Sequence, residues 1–116
     1  MYYSNYKAGV KIRNYEAENL KPLIDSVRLL NQSVLVAGDM NSLGGSHCIR
    51  IIKGSFLSDA WWSCGFGLGV TFDAWNLLLR LDHLFYDSSL EVVNVFVPQT
   101  GLSDHRPLVA DIRFRN

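Results

Sequence analysis

Three short polar segments contain the residue types that hold a divalent cation and hydrolyse a phosphate ester. They are Gly-Asp-Met-Asn at residues 38–41, Arg-Leu-Asp-His at residues 80–83 and Ser-Asp-His-Arg at residues 103–106. Each lies where an apolar, strand-like run meets a polar stretch, and the packing of a core requires none of their Asp, Asn or His side chains. We therefore expect the three segments to form one site.

In the first segment, Asp39 and Asn41 are two residues apart. Along an extended backbone their side chains point to the same side. The carboxylate can then polarise a water molecule while the carboxamide donates an N–H to a phosphate oxygen. The alternative is a turn at the end of a strand, in which both side chains bond to nearby backbone.

In the second segment, Asp82 lies inside an otherwise apolar run, residues 79–86. An unpaired carboxylate in such a run loses solvation and needs a partner. We expect that partner to be His105, because a carboxylate that accepts from one imidazole nitrogen fixes the tautomer and leaves the other nitrogen free to act. A surface ion pair between Arg80 and Asp82 is the alternative.

In the third segment, Asp104 stands beside a hydroxyl and an imidazole, just before the last apolar run. Such a carboxylate can bind Mg²⁺ directly or through water, since Mg²⁺ takes one or two carboxylates together with substrate oxygens and retained waters. A turn or a cap at the start of the strand is the alternative.

The composition indicates one globular domain over residues 1–116, with 48% hydrophobic and 19% charged residues. Eleven basic and eleven acidic residues cancel, which argues against unspecific binding of polyanions. Cys48 and Cys64 lack zinc-ligand spacing, and we expect two reduced thiols. No transmembrane run or signal segment is visible, so the compartment is the cytoplasmic default, with secretion left open if a signal precedes this sequence.

The elements that must position these residues begin with a helix. Apolar residues recur at three- and four-residue steps over residues 14–30, which predicts an amphipathic helix. Pro22 falls inside this pattern, so either the helix is long and kinked or it begins near Leu20 with Asn19 as its cap.

Five strands are predicted after this helix. The continuous apolar run at residues 34–37 suits a strand buried on both faces, which places Asp39 and Asn41 at its C-terminal end. Residues 48–52 suit one turn of helix, residues 57–62 stay unassigned, and three glycines in residues 63–69 predict a loop. The remaining strands follow in succession and predict an antiparallel meander over residues 70–75, 79–86, 91–97 and 107–114.

With all three segments in view, the chain resembles the C-terminal half of the endonuclease/exonuclease/phosphatase superfamily, whose members are deoxyribonuclease I-like. Residues 38–41 match its Gly-Asp-Phe-Asn, residues 80–83 are similar to its Arg-Ile-Asp-Tyr, and residues 103–105 match its closing Ser-Asp-His. Thr71 and Phe72 resemble its Thr-aromatic strand. The likeness runs from about residue 13 to residue 114.

The resemblance implies a metal-dependent phosphoester hydrolase, either a phosphodiesterase, a nuclease or a phosphatase, that uses Mg²⁺ or Mn²⁺. Asp39 would orient or deprotonate the attacking water beside the metal, and Asn41 would bind the scissile phosphate. His105, held by Asp82, would contact that phosphate or assist proton transfer, and Asp104 would lie at the metal. Nucleic acid, phosphoinositide, phospholipid and sugar phosphate all remain open as substrates.

The resemblance also implies an α+β fold that is part of a four-layer α/β/β/α sandwich, here one long helix and mainly one sheet of about five strands. The first half of a family domain supplies an Asn and a metal-binding Glu that have no counterpart here. We expect half of an active site, with weak or absent Mg²⁺ binding and little turnover by this chain alone. We also expect an exposed sheet face that binds the missing half or a second copy. The alternative is a non-catalytic binding or interaction module that retains part of this fold.

Overall fold

Helices and short antiparallel strands alternate along the chain in the computed structural model, which describes residues 2–75, 77–101 and 103–115, with side chains from residue 11 onward. The predicted α+β class is confirmed. The elements are α1 (Tyr2–Leu29), β1 (Leu35–Asp39), α2 (His47–Lys53), β2 (Ser58–Asp59), α3 (Ala60–Cys64), β3 (Phe72–Ala74), β4 (Leu77–Leu79), β5 (Asp82–Tyr86), β6 (Leu90–Phe96) and β7 (Val109–Phe114).

Helix α1 includes the helix that the apolar periodicity predicts over residues 14–30, but it begins twelve residues earlier, at Tyr2, and ends at Leu29. It continues through Pro22, so the alternative start near Leu20 is wrong. Ala17 and Ile24 are buried on its inner face, where they join the side chains of α2 in one apolar cluster. That packing compensates for the backbone hydrogen bond that a proline removes from a helix interior.

The predicted single meander is wrong, because the described strands form three separate antiparallel sheets. The central sheet has the order β1-β5-β2, while β3 pairs with β4 and β6 pairs with β7. The apolar run at residues 79–86 divides at Arg80 and Leu81: its first part pairs back onto β3, and β5 pairs with β1. Hydrophobic periodicity reports that a segment is extended, but it does not identify its pairing partner.

Strand β5 separates two cores, because successive side chains of a strand point to opposite faces. Phe85 faces the helices and is fully buried against residues of α1 and α2. Leu84 and Tyr86 face the other way and pack against Trp61 and the pair β6–β7, which we call the β6–β7 ribbon. The layers are therefore α1 with α2, the central sheet, and the ribbon with α3.

The expected uncovered sheet face is present over β1 only. The β6–β7 ribbon covers Leu84 and Tyr86, each of which is 8% exposed. Strand β1 lies at the edge of the central sheet, and Leu35 is 50% exposed, so the prediction that this strand is buried on both faces is wrong. A continuous apolar run predicts burial, but only one edge and part of one face of β1 have partners in the described chain.

Both described thiols are unpaired, as the sequence predicts: Cys48 is buried and Cys64 is exposed. Among the described helices, none combines the length and the apolar character that a membrane crossing requires.

Candidate active site

The pairing of β1 with β5 brings two of the three segments together. The strands are antiparallel, so the C-terminal end of β1 meets the start of β5, and Asp39 and Asp82 are direct cross-strand partners. The backbone N–H of Met40 donates to the carbonyl of Leu81 at 3.0 Å and extends this pairing by one residue. Two like charges opposite each other repel, so this arrangement favours a cation between them.

Thr71 joins the third segment to the other two. Its side chain is fully buried, and its Oγ1 accepts from the backbone N–H groups of Leu81 and Asp82, each at 3.0 Å. Its carbonyl accepts from the N–H of Arg106 at 2.6 Å, and the next residue forms an isolated bridge with His105. One buried threonine thus fixes both the start of β5 and the loop that carries His105.

His105 lies between the two aspartates. Its Nδ1 is 2.9 Å from Asp82 Oδ2, and its Nε2 is 3.5 Å from Asp39 Oδ2. The Phe72 ring meets the imidazole edge-on, with 5.3 Å between centroids. The predicted Asp82–His105 pair is confirmed, and Arg80, the alternative partner of Asp82, binds Asp59 instead.

The pKa of His105 is raised above its ordinary value. The hydrogen bond to Asp82 is the main cause. Desolvation, the next largest effect, lowers the pKa, but the negative charges of Asp82, Asp39 and Asp104 raise it further and the net shift is upward. The pocket between the carboxylates therefore stabilises a positive charge, whether that charge is an imidazolium or a bound cation.

The candidate metal ligands in the described chain are Asp39, Asp82 and His105, whose donor atoms all lie within 4.8 Å of one another. Two carboxylates that face each other offer the hard oxygen donors that Mg²⁺ and Mn²⁺ accept, so the donor set fits such a cation. Asp104 is exposed and lies outside this group, and its role at a metal stays a prediction.

Asn41 follows β1 in a left-handed conformation, with φ of 47°. Its backbone N–H donates to Asp39 Oδ1 at 2.9 Å, so the predicted turn at the strand end is present. The turn uses one oxygen of Asp39 and the backbone of Asn41, and the exposed carboxamide is not consumed by it. The turn at the strand end is therefore compatible with a contact between the Asn41 carboxamide and a phosphate.

A buried polar group beside the site was missed by the sequence reasoning. Arg80 Nη1 donates to both oxygens of Asp59, at 3.0 and 3.2 Å, and to His83 Nδ1 at 3.3 Å. His83 Nε2 is 2.6 Å from the carbonyl oxygen of Ser42, in the loop after Asn41. The sequence does contain a sign of this group. Asp59 is a carboxylate in the apolar patch at residues 57–62, and a carboxylate in such a patch needs a polar partner, as Asp82 does.

The pKa of His83 is lowered. Burial is the main cause, since only 1% of the residue is exposed, and the positive charge of Arg80 adds to it. The carbonyl of Ser42 and the charges of Asp59 and Asp82 oppose the shift without cancelling it. His83 is therefore neutral at neutral pH, and its pKa shift is opposite in direction to that of His105.

An open groove of about 580 Å³ lies against the aspartate–histidine cluster. Asp82 and His105 line its polar end, while Ala37, Leu84 and Leu108 line its apolar part. The groove joins the exposed edge of β1 to the segment that leads into β7, so a chain that filled it would also contact the site.

Comparison with known sequences identifies a family. Residues 12–105 match the sequence model described as Endonuclease/Exonuclease/phosphatase family. No curated protein gives a significant match.

Comparison with solved structures finds the same fold in larger proteins. An endonuclease/exonuclease/phosphatase from Bacteroides vulgatus is 24% identical with a TM-score of 0.76, and the alignment covers 90% of this chain and 45% of that one. The catalytic domain of human Nocturnin with a bound sulfate anion is 22% identical with a TM-score of 0.72, covering 91% and 42%. The mannosyl-6-phosphatase Bt3783 of Bacteroides thetaiotaomicron is 20% identical with a TM-score of 0.68, covering 90% and 46%. The chain therefore spans less than half the length of these proteins.

Proposed function

This chain belongs to the endonuclease/exonuclease/phosphatase family, and from that membership we propose that it supplies half of the active site of a metal-dependent phosphoester hydrolase. The observation that carries the proposal is the convergence of Asp39, Asp82 and His105 from three separate parts of the chain. A structural role does not require two facing carboxylates with an imidazole between them.

Asp82 acts through His105. It accepts from His105 Nδ1–H, which fixes the tautomer and leaves Nε2 directed toward Asp39 and the substrate side. In this position Nε2 contacts the scissile phosphate or transfers a proton to the leaving oxygen.

Asp39 and Asn41 act on the water and the phosphate. The turn N–H holds Asp39 Oδ1, so Oδ2 is the oxygen that orients or deprotonates the attacking water. The carboxamide of Asn41 donates to a phosphate oxygen, where a neutral donor stabilises developing negative charge.

Asp39 would hold Mg²⁺, or Mn²⁺ in its place, with Asp104 as a further or water-mediated ligand, and the ion when bound would neutralise charge on the phosphate. Because the chain spans 45% of its structural relative, other ligands would come from the remaining half of the domain. We expect little or no turnover by this chain alone. The exposed edge of β1 and the adjacent groove would bind that half, or a second copy in its absence.

The substrate is a phosphoester whose remaining structure is undefined. A phosphatase and a sulfate-binding catalytic domain among the similar structures are compatible with a tetrahedral oxyanion at the site. A non-catalytic interaction module is the second candidate, and the short span of the chain relative to its structural relatives favours it.

The first experiment titrates Mn²⁺ into the chain and follows paramagnetic broadening by NMR. Broadening centred on Asp39, Asp82 and His105 is expected, with loss in Asp39→Asn. Asp111→Asn, which removes an exposed carboxylate of the β6–β7 ribbon, is the matched control and should leave the broadening intact. Broadening spread evenly over all surface carboxylates would contradict the metal site.

The second experiment measures Mg²⁺-dependent hydrolysis of bis(p-nitrophenyl) phosphate. It compares the chain with a chimera in which the N-terminal half of the Bacteroides vulgatus relative precedes residue 12. Activity is expected in the chimera and absent from its His105→Ala variant. Equal activity in both would contradict the proposed role of His105, and a folded chimera that binds metal without turnover would favour the interaction module.

A further inference from the structure

The loop that carries Asn41 rests on a buried chain of polar contacts that the proposed chemistry does not use. The chain of contacts runs from Asp59 through Arg80 and His83 to the carbonyl of Ser42. Asp59 is 5% exposed and His83 1%, and the Arg80 side chain is 12% exposed. Such a group is costly to desolvate unless every member is paired, so its position next to the site requires an explanation.

The partners of His83 fix its tautomer. A carbonyl oxygen only accepts, so His83 Nε2 must carry the proton that it donates to Ser42. A guanidinium only donates, so Nδ1 must be the acceptor for Arg80. The neutral imidazole therefore accepts a hydrogen bond from Arg80 and donates one to the Ser42 carbonyl, and so links Arg80 to the loop that follows Asn41.

Arg80 is itself held in place and touches the loop a second time. Asp59 binds its guanidinium with both oxygens and also caps α3, where Oδ1 accepts from the N–H of Trp61 at 2.9 Å. At Gly44 the backbone passes so close that a Cβ atom would lie 2.5 Å from Arg80 Nη2. The loop at residues 41–45 thus packs on His83 at one point and on Arg80 at another.

Local contacts fix the conformation of this loop, in which Asn41 has a left-handed backbone, a region that Asn tolerates better than most L-residues. The turn bond to Asp39 fixes the residue on its strand side. On the far side, the bond from His83 holds the Ser42 carbonyl, and the thiol of Cys48 donates to Ser42 Oγ at 3.0 Å. Removing the His83 bond would leave the thiol, a weak donor, as the main side-chain contact there.

We propose that Asp59, Arg80 and His83 are positioning residues that hold the loop at residues 41–45 so that the Asn41 carboxamide is directed at the substrate phosphate. This proposal rests on the proposed function, which identifies the ligand of Asn41 as a phosphate. The contacts that carry it are independent of any metal or substrate. None of the three residues contacts the reacting atoms, and each acts through its neighbour.

The experiment compares two substitutions of His83 in the intact chain. His83→Gln keeps a side-chain N–H for the Ser42 carbonyl, whereas His83→Leu has similar bulk and no donor. Arg80→Lys and Asp59→Asn form a second pair of variants. They test the positioning role in place of His83→Leu if that variant does not melt cooperatively. Glu91→Gln, which weakens the exposed Arg113 ion pair of the β6–β7 ribbon, is the control for loss of an ion pair elsewhere.

Two readouts are measured by NMR. The first is the backbone order of residues 41–45 in the free protein, together with the ¹⁵N shifts of the His83 ring, which should report a proton on Nε2. The second is a titration with inorganic phosphate in the presence of Mg²⁺, followed at the Asn41 side-chain NH₂. His83→Leu should disorder the loop and bind phosphate about tenfold more weakly, the effect of losing one buried hydrogen bond, while His83→Gln and Glu91→Gln should match the wild type.

The outcomes separate the two proposals. If the loop in His83→Leu, or in the second pair of variants, is as ordered as in the wild type, the positioning role is wrong. If the loop becomes disordered but phosphate affinity is unchanged, the role is also wrong, since Asn41 would not depend on it. If the wild type binds no phosphate at all, the phosphate contact that the proposed function assigns to Asn41 is not made by this chain alone, and the order of the loop still decides whether these residues position it.

Discussion

At the scale of single residues, the site depends on a contrast between two histidines. His105 lies between carboxylates, and its pKa is raised, chiefly by the hydrogen bond to Asp82. His83 is buried beside Arg80, and its pKa is lowered, chiefly by desolvation. One imidazole is therefore ready to carry a proton at the site, while the other is a fixed neutral support behind it.

The raised pKa of His105 predicts a pH dependence of stability in the metal-free protein. The folded state holds the proton more tightly than the unfolded chain, so this contribution is complete below the ordinary pKa of 6.5 and is lost as the pH rises through the folded-state pKa. NMR titration of the His105 ring should give a pKa above 6.5, and Asp82→Asn should lower it. An unchanged pKa in Asp82→Asn would contradict the hydrogen bond as the cause.

The sequence predicted the Asp82–His105 pair but not the Asp59–Arg80–His83 group, and the reason is physical. In the first case the chemistry limits the choice of partner for Asp82, because a carboxylate beside a site commonly accepts an imidazole N–H and fixes its tautomer. In the second case the sequence places Arg80 close to Asp82, whereas its actual partner, Asp59, is 21 residues away. Only the sheet pairing of β2 with β5 brings Asp59 to Arg80.

At the scale of elements, the turn between β5 and β6 determines how the central sheet meets the ribbon. Asp87 Oδ2 accepts from the N–H of Val34 just before β1, and its Oδ1 accepts from the N–H and hydroxyl of Ser89. One carboxylate therefore ties the start of β1 to the connection that leads into the ribbon. The sequence identified this segment as a turn, but its bond to a residue 53 positions away was not predictable from local pattern.

The pKa of Asp87 predicts the consequence of breaking this tie. Burial alone would raise that pKa, but the hydrogen bonds from Ser89 and Val34 outweigh it and lower the pKa below the ordinary 3.8. The stabilisation is therefore present above pH 3.8 and is lost as the pH falls through the folded-state pKa. Asp87→Ala should reduce the free energy of unfolding by about 1–2 kcal/mol at pH 7 and by less at pH 3, measured by urea denaturation. An equal loss at both pH values would mean that the charge is irrelevant.

At the scale of the whole molecule, the sequence predicted an α+β half-domain with one bare sheet face. In the structure one part of that face is covered and another part is exposed. The strands after β5 cross to the opposite side of the central sheet from α1 and α2, and they cover Leu84 and Tyr86. Local pattern gives the strands but cannot show which sheet each joins, because that depends on pairing over long distances. On the central sheet, the edge of β1 and the groove beside the site stay exposed.

An exposed, partly apolar edge strand promotes association, because its unpaired backbone groups and apolar side chains can join another chain. The isolated chain should therefore form dimers or larger species whose fraction increases with concentration, measured by light scattering and analytical ultracentrifugation. Ala37→Lys places a charge on β1 at the rim of the groove and should shift the population to monomer. Leu29→Lys adds the same charge at a residue that is 84% exposed at the end of α1 and should leave association unchanged. A wild-type chain that is monomeric at all concentrations, or equal effects of the two lysines, would show that this edge is not the associating surface.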